Sequence, residues 1–267
     1  MSGVSLAARG RTLARPQAVL AAVLLGLAAL AWWSAGRRMT GMSSSGLDPG
    51  GIGFYLGLWV VMMAAMMLPS IAPMVVVYDR LRSARRAQDP GAPGIAGTAL
   101  FVGGYLLTWS GAGLLAYAVI ALGDAIDAGA LAWDRAGRAT VAAIVLLAAA
   151  YQATPVKDLC LRHCRGPFSF VLEHWRGGNV GALRMGVRHG AWCTGCCWAL
   201  MATLFAVGLM SLGWMAFVAA LIAIEKLLPG PASRVVALVL VILGLAVLFT
   251  PELVPGVGAG RSEAMQM

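Results

Sequence analysis

The sequence predicts an all-α fold, a polytopic transmembrane bundle of about seven helices, and three observations lead there. Of its 267 residues 60% are hydrophobic and only 12% charged. The mean hydropathy of +0.81 lies far above that of a soluble globular domain. The apolar residues form runs long enough to cross a hydrocarbon core of about 30 Å at about 1.5 Å per helical residue. A net charge of +9 collects in the connectors between those runs, as a topology signal does. No basic helix interleaved with aromatics occurs, so no nucleic-acid partner is expected. The partner that composition implies is the lipid bilayer.

Taken in order, Arg9, Arg11 and Arg15 precede an apolar run from Pro16 to Trp33. That arrangement also suits a signal peptide. Trp32 and Trp33, however, sit where an interfacial anchor belongs and no small-residue cleavage site follows, so residues 1–35 read as a tail and a retained first helix. A Gly/Ser connector with turn chemistry at Asp48-Pro49-Gly50 leads into a core bundle over residues 52–250. The second segment of the chain, about 52–78, carries Pro69 and Pro73, which leave backbone carbonyls without helical partners. The third segment, about 97–122, holds Gly103, Gly104, Gly111 and Gly113, small residues that let helices approach closely. An acidic connector with Asp124, Asp127 and Asp134 follows. The fourth segment starts near Ala139, is expected to kink at Pro155 and stops at Gly166-Pro167. A long basic loop to Gly190 is expected next, part of an inner loop over 157–189. Segments at about 191–210, 213–228 and 235–249 complete the bundle, and 251–267 read as a flexible tail.

Counting Lys and Arg on alternate sides assigns 15 of the 20 to one side when the N-terminus is inside, so the orientation expected is N-inside, C-outside, in the plasma (inner) membrane. On that topology Cys160 and Cys164 leave the fourth segment where Cys193, Cys196 and Cys197 begin the fifth and where Glu225 and Lys226 end the sixth.

The chemistry of the chain is concentrated there. All five cysteines and all three histidines lie between residues 160 and 197. Five is an odd number in one crowded region, which argues against a disulfide framework. Cys193, Cys196 and Cys197 stand at i, i+3 and i+4, so a helix puts them on one face. Thiolates suit Cu(I), zinc and iron–sulfur clusters. Cysteine also packs as a small hydrophobe, but packing alone does not require clustering. Covalent haem attachment is excluded because position 197 is Cys where it needs His.

Met62, Met63, Met66 and Met67 form a thioether stripe in mid-membrane, able to meet Cu(I) or simply to fill the core. Met201 extends the face of Cys193 and Cys197 by a turn. Glu225 and Lys226 are costly in a bilayer, so they mark a function or a pairing unless Lys226 snorkels to the interface. His163, His174 and His189 could each be ligands, with His163 the one carried as a weaker candidate; single histidines are more often surface residues. Trp192 and Trp198 flank the cysteines. No phosphate-binding glycine loop, zinc-protease motif or serine nucleophile elbow occurs.

The blocks WVVMMAAMMLP, KDLCLRHCRGP and HGAWCTGCCWALM, with Glu225 and Lys226, resemble a bacterial family described as predicted metal-binding integral membrane proteins, a domain of unknown function. The resemblance covers roughly residues 52–230, and CTGCCWALM is its most specific part. It implies metal handling.

From the residues the expected cargo is Cu(I), with zinc or another transition metal as alternatives. Cys193, Cys196 and Cys197 are the expected principal ligands, Cys160 and Cys164 complete the site or relay metal to it, and a metal donor or acceptor protein is the expected partner. Two other functions remain open. One is a membrane thiol–disulfide oxidoreductase using Cys193 and Cys196, and the other is a structural subunit whose glycine faces serve assembly or an oligomer.

Overall fold

The computed structural model describes residues 3–39, 51–88, 94–125, 138–208, 211–228, 230–250 and 254. Among them every regular element is a helix: α1 Gly3–Met39, α2 Ile52–Arg86, α3 Ala96–Ala125, α4 Arg138–Gln152, α5 Pro155–Arg165, α6 Pro167–Glu173, α7 Gly178–Gly208, α8 Leu212–Leu227 and α9 Ala232–Phe249. Five are long and apolar enough to cross a membrane, and α4 with α5 makes a sixth if the pair, bent by 68°, counts as one span. The seven predicted segments are therefore all present, but α8 has 16 residues and reaches only about 24 Å, short of a full crossing. Leucines, valines and isoleucines such as Leu115, Leu147 and Leu238 face outward, as a lipid-facing surface requires. The predicted turn at Asp48-Pro49-Gly50, the acidic connector through Asp127 and Asp134, and residues 255–267 lie outside the described residues.

Helix α2 runs unbroken through Pro69 and Pro73. Pro69 has no N–H to give the carbonyl of Ala65, four residues earlier. The indole Nε1 of Trp32 supplies the donor from α1 at 3.0 Å. Trp32 is thus bonded into the bundle, a role beyond the anchor the sequence suggested. Its neighbour Trp33 stays exposed, with the Arg37 guanidinium 4.9 Å from its ring centroid.

A seam of small residues joins α3 to α7. A Cβ on Gly104 would collide with the carbonyl of Leu183, one on Gly186 with the carbonyl of Phe101, and one on Gly190 would meet Thr108 Oγ1 at 2.7 Å. The backbones can approach this closely only because these positions carry no side chain. Of the four glycines predicted to mediate packing, Gly104 lies in this seam and Gly113 abuts the Trp59 ring of α2, whereas Gly103 and Gly111 have nothing within 4 Å.

The long basic loop expected up to Gly190 is instead α6 and the first three turns of α7. Positions 182, 185, 186, 189, 190, 193, 196 and 197 are all buried, a helical stripe, while Arg184 and Arg188 are exposed. Glycines and arginines made this stretch look like a loop, although the glycines serve helix contact. The expected kink at Pro155 is present. Thr154 caps α5, its hydroxyl accepting from the Lys157 N–H at 3.3 Å, and Pro155 fills the first helical turn, where no N–H is needed.

Replacing Gly186 by Val should lower thermal stability in detergent by about 1–3 kcal/mol through overpacking of the seam. Gly103→Ala should leave the unfolding midpoint unchanged or slightly raised, and equal losses in the two variants would contradict the seam.

Candidate metal centre

The helical spacing of the cysteines has the expected result. The sulfurs of Cys193, Cys196 and Cys197 all lie within 4.8 Å of one another and all three residues are buried. Sγ of Cys197 stands 3.5 Å from that of Cys196 and 3.8 Å from that of Cys193. A metal bound at about 2.3 Å from each sulfur holds its ligands roughly 4 Å apart, so the trio needs little rearrangement to close on one ion.

The two cysteines of α5 behave differently. Sγ of Cys164 is 3.7 Å from Sγ of Cys196, and Cys164 is only partly buried. Cys160 packs against the α7 backbone, where a Cβ on Gly195 would stand 2.9 Å from its sulfur. The structure thus brings Cys164 to the trio and uses Cys160 at a helix contact. Tyr151 adds a further tie, its hydroxyl donating to the Gly195 carbonyl at 2.7 Å.

Two polar groups converge on one sulfur. Lys226 Nζ donates to Cys193 Sγ at 3.0 Å, and Tyr105 Oη lies 3.1 Å from the same atom. The ammonium also donates to Ser70 Oγ at 3.3 Å and stands 3.9 Å from Met67 Sδ. Lys226 is buried, so it does not snorkel to the interface. Side chains from α2, α3, α5, α7 and α8 meet here, and the α3–α7 glycine seam sets the approach that lets Tyr105 reach Cys193.

Glu225 and Lys226 are adjacent on α8 and so diverge by about 100° around the helix. They do not pair with each other. Glu225 Oε2 accepts from Lys157 Nζ at 2.6 Å, both side chains being almost wholly buried. Lys157 also donates to the carbonyl of Cys196, and Arg165 Nε donates to the carbonyl of Glu225 at 2.6 Å. This network ties α5 and α8 to the cysteine turn of α7.

The remaining candidates separate clearly. His163 stacks on Trp192 with centroids 4.1 Å apart, and its Nδ1 bonds the Leu159 carbonyl, a contact that joins α5 to α7. His174 Nδ1 similarly bonds the Phe170 carbonyl. His189, one turn before Cys193, is buried among Phe101, Tyr105 and Phe170 with its Nδ1 unpartnered. Met62, Met63, Met66 and Met201 are buried in the core that also contains the three cysteines, and Met67 is the one that contacts Lys226.

Lys157, Tyr105, Ser70 and Arg165 were not singled out by the sequence. Lys157 counts as a topology charge in the sequence; its position three residues before Cys160 and two after Pro155 is the available signal. Nothing local marks Tyr105, which lies 88 residues from Cys193.

Residues 56–248 match the family described as PpoB2, copper chaperone. The chain belongs to this family. The match includes every residue named in the centre and most of the bundle, and with the three-cysteine cluster it supports a role in copper handling. No curated protein and no solved structure matches the chain.

Removing one partner of the Lys157–Glu225 pair strands a buried charge, so Lys157→Met should cost about 3–5 kcal/mol in thermal unfolding. The double change with Glu225→Leu should recover much of that loss. If the double variant is as unstable as the sum of the singles, the pair is not an energetic unit.

Proposed function

We propose that the protein is an integral plasma-membrane copper handler that takes Cu(I) as cargo on Cys193, Cys196 and Cys197 and delivers it to an acceptor protein. The observation that carries this is a buried trio of soft sulfurs at coordination spacing with an ammonium against one of them. Two thiolates and one neutral thiol around Cu(I) leave one negative charge, which Lys226 balances. In a bundle interior an uncompensated charge costs several kcal/mol, so that balance decides whether loading is favourable. Zinc and other transition metals that accept sulfur ligands are the competing cargoes.

Cys164, half-buried and 3.7 Å from Cys196, is the access ligand, passing metal from the surface to the trio by sulfur exchange. Met67, in contact with the Lys226 ammonium at 3.9 Å, begins the route into the Met62–Met67 stripe. Orientation follows from the basic residues, with the N-terminus inside, the C-terminus outside and the site opening to the inner face. Lys157, Lys226 and Arg82 are buried, so they are not topology charges, yet the bias survives their removal. A thiol–disulfide oxidoreductase has weaker support, because a disulfide substrate must reach the attacking sulfur and Cys193 and Cys196 are buried.

Competition with a chromophoric Cu(I) chelator should give one tightly held Cu(I) per chain. The triple Cys193, Cys196, Cys197→Ser variant should lose it, and Cys160→Ser should keep it. Undiminished binding by the triple variant would refute the assignment. Lys226→Met should weaken affinity about 10–100-fold, as loss of an outer-shell partner does. Cys164→Ser should leave the final stoichiometry intact and slow loading several-fold in stopped-flow transfer from the chelator.

A further inference from the structure

Away from the cysteines, a cavity of about 220 Å³ is lined by His174, Arg176, Arg184, Met185 and Arg188. Three of its five lining residues are arginines and none is acidic. Among the described residues none of the three guanidiniums has a hydrogen bond, an ion pair or a ring contact with the protein. Arg184 and Arg188 stand at i and i+4 on α7, where like charges repel, and Arg176 comes from the preceding turn. Positive charges gathered in one concavity repel one another, and an anion seated among them relieves that repulsion.

The cavity is held in shape by contacts that do not consume its arginines. Trp175, the residue before Arg176, is stacked on Tyr78 with centroids 5.7 Å apart, and the Arg85 guanidinium lies 4.6 Å from the centroid of its ring. Gly178 takes a φ of 73°, which turns the chain into α7, and a Cβ on Gly181 would meet the Arg176 carbonyl at 2.5 Å. The turn carrying Arg176 is therefore pressed onto the first turn of α7, with its backbone position set. Guanidinium forks match the paired oxygens of a phosphate better than an ammonium does.

One flank is apolar. Val180 and Val187 are exposed on α7, one turn from Arg184 on either side. A basic concavity with exposed aliphatic side chains on the same helix, where an apolar helix begins, suits an anionic headgroup whose chains lie on the neighbouring surface. We propose that this cavity is a binding site for a phosphate-bearing anion, the headgroup of an anionic phospholipid or a free phosphate of the same chemistry. The site is separate from the copper centre and does not depend on it.

The test uses the full chain in neutral detergent with added phosphatidylglycerol, phosphatidylcholine or inorganic phosphate, read by thermal unfolding and by native mass spectrometry of retained lipid. Phosphatidylglycerol should raise the unfolding midpoint by several degrees over phosphatidylcholine and remain bound, and the R176Q/R184Q/R188Q variant should lose both effects. Inorganic phosphate that reproduces the shift in the wild type, and not in the variant, identifies a free anion as ligand; phosphate without effect identifies the lipid. All three arginines are exposed, so the variant should fold, and unchanged Cu(I) stoichiometry checks that it has. The charge-conserving R176K/R184K/R188K variant should retain part of the response. An equal phosphatidylglycerol shift in wild type and R176Q/R184Q/R188Q, or no shift in the wild type with either anion, would overturn the proposal.

Discussion

The ammonium of Lys226, buried at the end of α8 and 3.0 Å from the sulfur of Cys193, is the interaction on which the centre depends. A cation in a bundle interior is tolerated only with acceptors around it, and its acceptors are a cysteine of α7, a serine and a methionine of α2. That requirement fixes where α8 ends and how it is rotated. The next residue back, Glu225, then points to α5, where Lys157 neutralises it. Two successive charges on one short helix thus tie α8 to three neighbours, and they hold the cysteine turn between them.

The same economy governs the backbone around the site. Helix α2 carries two prolines through the bundle, and the carbonyl that Pro69 leaves open receives the indole N–H of Trp32. Helix α7 meets α3 along glycines, which brings Tyr105 to Cys193, and meets α5 at Gly195, which brings Cys164 to Cys196. Close approach and hydrogen-bond completion are the two conditions a helix must meet where water is absent. Both are met here by residues that a hydropathy count records only as small or aromatic.

Copper handling and the basic cavity concern different parts of α7. Its middle carries the sulfurs and its first turns carry exposed arginines, with His189 buried between them. The family match and the cysteine trio support the first role. The cavity rests on uncompensated charge in a shaped concavity, which family membership does not address.

The all-helical architecture, its apolar segments and the three-cysteine face were legible in the sequence. Each follows from local periodicity: runs of apolar residues for the helices, and i, i+3, i+4 spacing for the sulfurs. The same reasoning misread residues 166–190 as a loop, because glycines that permit helix contact look like breakers when the contacting helix is unknown. It grouped Cys160 with Cys164, although one meets a backbone and the other meets the sulfurs, because the two stand one turn apart on α5 and face different parts of α7. It ranked His163 above His189, although His163 stacks on a tryptophan outside the trio while His189 is the histidine buried one turn from Cys193. Lys157, Tyr105 and Ser70 became part of the centre only through packing between helices distant in the chain. Local spacing specifies which side chains share a helix face, and only the tertiary structure decides what that face meets, because the partners of a buried charge or thiol are supplied by other helices.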